Sequence, residues 1–290
     1  MKLLLIQERG RHARNREYRE ALSLSRALAS VGIDSTVWGL GYENHIRPFA
    51  EISKGYDAVL TLENYDSGWH PDISAFNGPK LFWSIDSHCA LRAHLAFCRK
   101  NRIDHLLNSA EQYLEAFRGV VAGGDWFPNA IDDELLQPPA GAHKRHDVGF
   151  CGSNSPSREA WLSRLARELP VARHHLVIGP DMVAAQASYR IGLNRSLADD
   201  VNYRCFEVPA CGTMLLTNPV PNLDRLLTPG VEMVLYADER DLIEKARHYL
   251  AHEEEREAIA AAGRRAVLER HTYRQRAGQL AGILQKLGVR

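Results

Sequence analysis

The sequence predicts two consecutive α/β domains, each built on a parallel sheet. Three observations lead there. Short apolar strands alternate with helical segments through residue 118, the pattern of βαβ units. A stretch with two prolines and a glycine, QPPAGAHKR at 137–145, then breaks the pattern as an interdomain linker does. The alternation restarts at Asp147, and 290 residues are enough for two domains of roughly 100–200 residues, each with its own core.

The elements follow in order. Lys2–Ile6 is an apolar first strand. Asn15–Ser30 carries Tyr18, Ala21, Leu22, Leu24 and Leu28 at helical spacing and stops before Val31-Gly32. Asp34–Trp38 is a second strand, rich in β-branched residues. Ala58–Leu62 and Lys80–Ile85 are buried strands, the latter after the Asn77-Gly78-Pro79 breaker. His105–Asn108 is the fifth strand and Ser109–Arg118 a helix. After the linker, Asp147–Cys151 is a strand, Gly152–Pro156 a turn, Arg158–Glu168 a helix and His175–Ile178 a strand. Tyr189–Leu193 and Met214–Thr217 are strands flanking a Tyr203–Cys211 helix. Asp238–His252, Glu253–Glu269 and Tyr273–Leu287 close the chain as helices. The expected domains are 1–140 and 141–272, with 273–290 packing back on the first.

Composition excludes several classes. The chain is 45% hydrophobic and 25% charged, as soluble globular proteins are. Lys plus Arg and Asp plus Glu both number 36, so the formal net charge is zero. A nucleic-acid-gripping chain normally carries a basic surplus, so such a partner is not expected. Arg9, Arg11, Arg14, Arg16 and Arg19 do make one local basic run. The five cysteines form no C-x-x-C pair, which suggests neither a disulfide framework nor a zinc site. Free thiols in a cytoplasmic protein are the simple expectation. Leu3–Ile6 is too short for a signal sequence. No run approaches the ~18 apolar residues of a membrane span.

The richest stretch is Asn202–Asn218, NYRCFEVPACGTMLLTN. A polar cluster of Asn202, Arg204 and Glu207 precedes a small-residue turn, Ala210, Cys211 and Gly212, and then a strand. A helical carboxylate can accept from two vicinal ribose hydroxyls, and a glycine lets backbone approach a ligand. An ordinary helix end entering a core strand has the same pattern. Arg204 lies three residues before Glu207, on one helix face. It either contacts a diphosphate or pairs with Glu207. Gly152, Ser153 and Asn154 join a strand to a helix bearing Arg158, which is either an anion site or a plain capped turn. Asn194-Arg195-Ser196 either lines the same pocket or caps a loop.

Several segments resemble those of one family. They are LFWSIDSH at 81–88, DHLLNSAEQYLEAFR at 104–118, WFPNAIDDELLQP at 126–138 and KRHDVGFCGS at 144–153. IGLNRS at 191–196, DDVNYRCFEVPACGTMLLT at 199–217 and the run from Pro229 to Ala277 complete the set. Together they resemble the GT-B glycosyltransferases, in the CgeB-like (spore maturation protein) branch with a group 1 C-terminal domain. The resemblance implies two Rossmann-like domains facing an interdomain cleft. It implies transfer from a nucleoside-diphosphate sugar (UDP, GDP or dTDP), with no metal or cofactor. Many members carry a Glu-x7-Glu element whose second Glu binds the donor ribose. Glu207 takes that place, and Asp199 stands at the first, a departure that puts its sugar contact in doubt. The resemblance also implies that the last helix crosses back to the first domain.

The acceptor side is less readable. Asp86-Ser87-His88 is expected at a strand end, where Asp86 or His88 could act as general base toward an acceptor hydroxyl. Arg11 and His12, with Arg14 and Asn15, either touch a substrate or form a solvated loop. Glu63, Asn64 and Tyr65 end another strand on the same rim and could read acceptor hydroxyls. His174 and His175 read as structural and Glu253–Arg256 as a solvated helix start. Two rival readings stay open: a non-catalytic sugar- or nucleotide-binding protein, and a transferase acting on modified DNA bases.

Overall fold

The computed structural model describes residues 1–289 apart from positions 65 and 67. The chain divides into two compact units. Unit 1 comprises Met1–Asn129 with the segment from Tyr273 onward, and unit 2 comprises Ala130–Thr272.

Unit 1 is a six-stranded parallel sheet of β1 (Lys2–Ile6), β2 (Asp34–Trp38), β3 (Ala58–Leu62), β4 (Lys80–Ser84), β5 (His105–Asn108) and β6 (Gly123–Trp126). The spatial order is β2-β1-β3-β4-β5-β6. The central strands are covered on both faces, which is why Leu3–Ile6 and Ala58–Leu62 read as unbroken apolar runs. Helix α1 runs Glu20–Ala29, shorter than the expected Asn15–Ser30. Extended backbone at Arg19 (φ −68°, ψ 141°) separates it from a 3-10 turn over Ala13–Tyr18. A short α2 spans Phe49–Ile52. The expected Ser109–Arg118 helix is a 3-10 segment, Glu111–Phe117.

The largest departure in unit 1 follows β4. The strand stops at Ser84, and a 15-residue helix α3 occupies Ser87–Asn101. The Glu63 carboxylate at the end of β3 ends the strand. Its Oε2 accepts from the backbone N–H groups of Ile85 and Asp86, both at 2.7 Å. The Ser84 hydroxyl meets the Ser87 hydroxyl at 2.5 Å and His94 Nδ1 at 2.8 Å, tying strand end to helix start.

Unit 2 is a five-stranded parallel sheet: β7 (His146–Gly152), β8 (Val171–His175), β9 (Tyr189–Asn194), β10 (Met214–Thr217) and β11 (Val234–Leu235), in the order β11-β10-β9-β7-β8. Strand β8 precedes the expected His175–Ile178. The apolar Leu176 falls in the following turn, at φ 55° and 78% exposed. Helices α4 (Pro156–Leu165), α5 (Pro180–Ala187), α6 (Arg204–Ala210), α7 (Leu223–Leu226), α8 (Glu239–Ala251) and α9 (Glu253–Arg270) complete unit 2. Phe150, Trp161, Leu162, Ile191, Leu193, Met214, Leu216 and Leu242 fill one side of its sheet.

The last helix, α10 (Tyr273–Lys286), belongs to unit 1. It buries Leu280, Ile283 and Leu284. Arg276, 6% exposed, donates from Nε to Pro128 O at 2.7 Å and from Nη2 to Asn129 O at 3.2 Å. Gln279 Nε2 reaches Trp126 O at 2.7 Å. Among the described residues, no helix is long and apolar enough to cross a membrane.

Candidate functional site

In unit 2 the strand order reverses between β7 and β9. Open parallel sheets bind ligands beyond the carboxyl ends of the strands at such a point. Arg204, the first residue of α6, straddles it. Its Nε donates to Cys151 O at the end of β7 (2.7 Å), and its Nη1 to Asn194 Oδ1 at the end of β9 (2.6 Å). Its guanidinium lies over the Phe150 ring, 4.7 Å from the centroid. The remaining nitrogen, Nη2, has no hydrogen-bond partner among the described residues. Of the two readings of Arg204, the pair with Glu207 is not formed.

Gly152 makes that placement possible. A Cβ there would come within 2.4 Å of Arg204 Nη2. The guanidinium occupies the space a side chain would take.

Two more arginines join it. Arg158 on α4 is 7% exposed, donates from Nη1 to Ser153 O (2.7 Å) and Ser153 Oγ (2.9 Å), and sits 5.3 Å from the Phe150 centroid. Burial, then Arg204 and Arg195, push its pKa below the ordinary arginine value. Arg195, just beyond β9, lies over Trp161 at 5.5 Å. No carboxylate among the described residues pairs with any of these three cations. Crowded guanidinium groups without counter-charges repel one another, and an anion relieves that repulsion.

Asn194 is the organiser. It is fully buried. Its Nδ2 donates to Thr217 Oγ1 (2.9 Å) and Cys205 Sγ (3.3 Å), while its Oδ1 accepts from Arg204 and from Asn202 Nδ2 (3.2 Å). Asn202 Oδ1 accepts Arg204 N at 3.1 Å, and Asn202 Nδ2 also reaches Ser196 Oγ at 2.9 Å. Asn194 and Asn202 therefore orient Arg204, and their amides are committed to protein.

Glu207, one turn along α6, is half-buried. Burial raises its pKa above the usual carboxylate value, against the opposing pull of Arg204 and Gln186. Gln186 Nε2 approaches its Oε2 at 3.4 Å. A carboxylate short of protein donors, within the field of Arg204, suits hydroxyl donors. Helix α6 ends at Cys211, where Cys211 N bonds Glu207 O (3.1 Å) and Gly212 N bonds Pro209 O (2.8 Å). Gly212 has φ 67°, the left-handed conformation of a helix C-terminus. Within the protein a Cβ there would meet only Arg264 Cδ at 3.8 Å, so the left-handed conformation is what requires glycine in the fold. Cys211 is buried, with its thiol pushed up to about 12.

The other expected donor residues stand further out. Ser153 and Asn154 are exposed, and Ser155 caps α4 by accepting from Arg158 N. Asp199 is exposed in the irregular stretch between β9 and α6.

In unit 1 the expected base residues lie on a helix start, not a strand end. Asp86 is the N-cap residue of α3 and is exposed, while His88 is in its first turn, half-buried. His88 Nδ1 is buried without a hydrogen-bond partner. The capture of the Ile85 and Asp86 N–H groups by Glu63 is the physical reason for the shift. Asn64 Oδ1 accepts Glu8 N (2.7 Å) and its Nδ2 donates to Leu62 O (2.8 Å), so its amide ties the ends of β1 and β3 together. Tyr65 lies outside the described residues. Arg11 and His12 are exposed at the start of the 3-10 turn. In the basic run, Arg19 is a buried partner of Glu20 at 3.3 Å and Arg9 approaches Glu17 at 3.6 Å, which neutralises part of it. Of the expected residues, the fold gathers Gly152, Ser153, Arg158, Asn194, Asn202, Arg204 and Glu207 at one set of strand ends.

Sequence reasoning left Gln186 and Phe150 out of the site, and left Arg195 between lining the pocket and capping a loop. Phe150 carried a usable signal, since an aromatic at a strand end before a glycine is a platform for guanidinium groups.

No curated protein matches the chain. Sucrose-phosphate synthase from Thermosynechococcus elongatus superposes with TM-score 0.70 at 15% identity, covering 99% of this chain and 98% of that one. Anabaena Alr3699/HepE in complex with UDP and glucose gives 0.69 at 13% identity, covering 99% and 100%. A glycosyltransferase from Rickettsia africae gives 0.66 at 9% identity, covering 99% and 98%. At these identities the likeness establishes the fold, which is GT-B. The glycosyl transferase-like family model matches residues 102–282. That match spans more than half of the sequence, and the chain belongs to the glycosyl transferase-like family.

Proposed function

We propose that the chain transfers a sugar from a nucleoside-diphosphate sugar to a hydroxyl acceptor, with the donor held by unit 2. The observation that carries this reading is the group of three guanidinium groups without carboxylate partners, Arg158, Arg195 and Arg204, at the β7/β9 switch point beside Glu207. The diphosphate lies against Arg204 Nη2 and its neighbours. Their positive charge offsets the negative charge that grows on the leaving diphosphate. Glu207 accepts hydrogen bonds from the ribose hydroxyls. UDP is the first nucleotide to test, because the fold is shared with a protein that binds UDP and glucose. Within that family the segments between 81 and 277 resemble the CgeB-like branch, and membership of that branch is part of this proposal.

Unit 1 presents the acceptor, and Asp86 or His88 removes its proton. A His at a helix start with an unpartnered ring nitrogen suits that task. All five cysteines are free thiols, four of them buried, which suits a reducing compartment such as the cytoplasm.

Isothermal titration of UDP, GDP and dTDP tests the donor assignment. One nucleotide should bind the wild type, and Glu207→Ala and Arg204→Ala should each weaken it about tenfold or more. Equal binding by both variants, or no binding by the wild type, would refute it.

A further inference from the structure

Unit 1 contains a cavity of about 460 Å³ between α3 and the face of the sheet at β3 and β4. Thr61 and Glu63 alternate along the end of β3, so both look to the same side. Phe82 stands beside Thr61 on the paired strand. Ala90, Ala93, His94 and Phe97 line the facing side of α3, and His70 and Pro71 close one end. The small Ala90 and Ala93 leave the room that larger side chains would fill.

Apart from the Lys100 ammonium at the rim and the amides of Asn64 and Asn101, which bond protein, the polar groups in this wall are acceptors or a hydroxyl. Thr61 is 1% exposed, and its hydroxyl has no hydrogen-bond partner. His70 Nδ1 lies 2.8 Å from Pro71 O. A carbonyl can only accept, so Nδ1 carries the proton and Nε2 presents a lone pair. That Nε2 is buried without a partner. Burial lowers the His70 pKa to about 4, so the ring stays neutral near pH 7. Glu63 Oε2 is taken by Ile85, Asp86 and His94, while its Oε1 makes no hydrogen bond among the described residues. Burial alone would raise the Glu63 pKa, but His94 and the two backbone N–H groups outweigh it and keep the carboxylate ionised. Both nitrogens of His94 are committed, to Ser84 and Glu63. Phe82 and Phe97 form an apolar floor, their ring centroids 4.8 Å apart.

Two acceptors and one hydroxyl over an aromatic floor demand a ligand that donates hydrogen bonds and has an apolar face. Past Lys100 at the rim, a phosphate or carboxylate would face the lone pairs of Glu63 and His70 and pay the cost of burying its charge against them. Lys100 at the rim disfavours a cationic ligand. We propose that this cavity binds a neutral pyranose, its hydroxyls on Glu63, Thr61 and His70 and its C–H face on Phe82 and Phe97. That this sugar is the acceptor rests on the transfer reaction proposed above; the binding site does not.

The test is titration of the full chain, by saturation-transfer NMR, with the methyl glycosides of glucose, galactose and mannose. Glucuronate serves as the charged analogue. At least one glycoside should bind the wild type, with glucuronate about tenfold weaker or worse. Ala90→Phe should abolish binding by filling the cavity. Thr61→Val, nearly isosteric, should weaken it about fivefold. UDP affinity should be unchanged in both variants, and an intact unit 1 melting transition by calorimetry reports that they are folded. If Ala90→Phe fails to fold, Thr61→Val alone decides. Binding of no glycoside, binding unaffected by the variants, or glucuronate as tight as the neutral sugars would overturn the proposal. Glycoside binding without UDP binding would instead sink the donor assignment and leave the cavity standing.

Discussion

The two units carry sites of opposite character. The strand ends of unit 2 gather three guanidinium groups without carboxylate partners, whereas the cavity of unit 1 gathers a carboxylate, a neutral imidazole lone pair and a hydroxyl. On the readings proposed above, the first suits phosphates and the second hydroxyl groups. A two-substrate sugar transfer needs both kinds of site, and the same sheet architecture supplies each by changing only what stands at the strand ends. The means of holding also differ. Unit 2 fixes Arg204 through a fully buried Asn194 and a missing side chain at Gly152. Unit 1 fixes Glu63 through two backbone N–H groups at the start of α3.

The contrast can be broken most severely by deleting α10. Truncation before Tyr273 removes buried Leu280, Ile283 and Leu284 from unit 1 and frees the Pro128 and Asn129 carbonyls held by Arg276. At ~1.5–3 kcal/mol for each apolar side chain, the loss is about 5 kcal/mol or more, comparable with the whole stability of a domain. Calorimetry should show the unit 1 transition lost, with glycoside binding lost alongside it. An unchanged melting profile would contradict the assignment of α10 to that core.

A smaller and more selective change is Gly152→Ala. Its Cβ would displace the Arg204 guanidinium, which is already tied to Cys151 O and Asn194. Stability should fall by no more than about 1 kcal/mol, while nucleotide affinity falls about tenfold. If affinity and the melting temperature fall together, the glycine serves the fold rather than the arginine.

The mildest prediction concerns pH. Lys144 Nζ is held by Gly212 O (2.7 Å) and Thr213 Oγ1 (2.8 Å), behind the turn that ends α6. Burial lowers its pKa to about 8, below the ordinary 10.5. Between those values the unfolded chain binds more protons than the folded one, so this group makes stability rise with pH across about 8 to 10.5. Below pH 8 Lys144 is protonated in both states and the full penalty is present. The stability of wild type relative to Lys144→Met, measured by urea unfolding, should rise across that window. A flat difference would show that Lys144 keeps an ordinary pKa.

The unit 2 site was largely legible because its parts are close in sequence. Asn202, Arg204 and Glu207 share one segment, and a glycine after a strand marks the other side. What could not be read was the division of labour. Asn194 and Asn202 are polar and near the site, yet their amides face protein, and only packing decides that. In unit 1 the site joins β3, the segment after it, β4 and α3, residues from Thr61 to Asn101. No local motif encodes such a set. It depended on α3, whose start was read as strand because Ile85 continues the apolar run of β4. The Glu63 carboxylate that turns the chain at that point is a long-range partner, invisible to periodicity. Leu176 misled in the same way, an apolar residue spent on an exposed turn.

The most direct test is a crystal structure of the full chain with UDP bound. The account predicts the diphosphate within hydrogen-bonding distance of Arg204 Nη2, the ribose hydroxyls on the Glu207 carboxylate, and the unit 1 cavity free of nucleotide. A diphosphate placed away from Arg204, or a nucleotide seated among Glu63, His70 and Thr61, would contradict it.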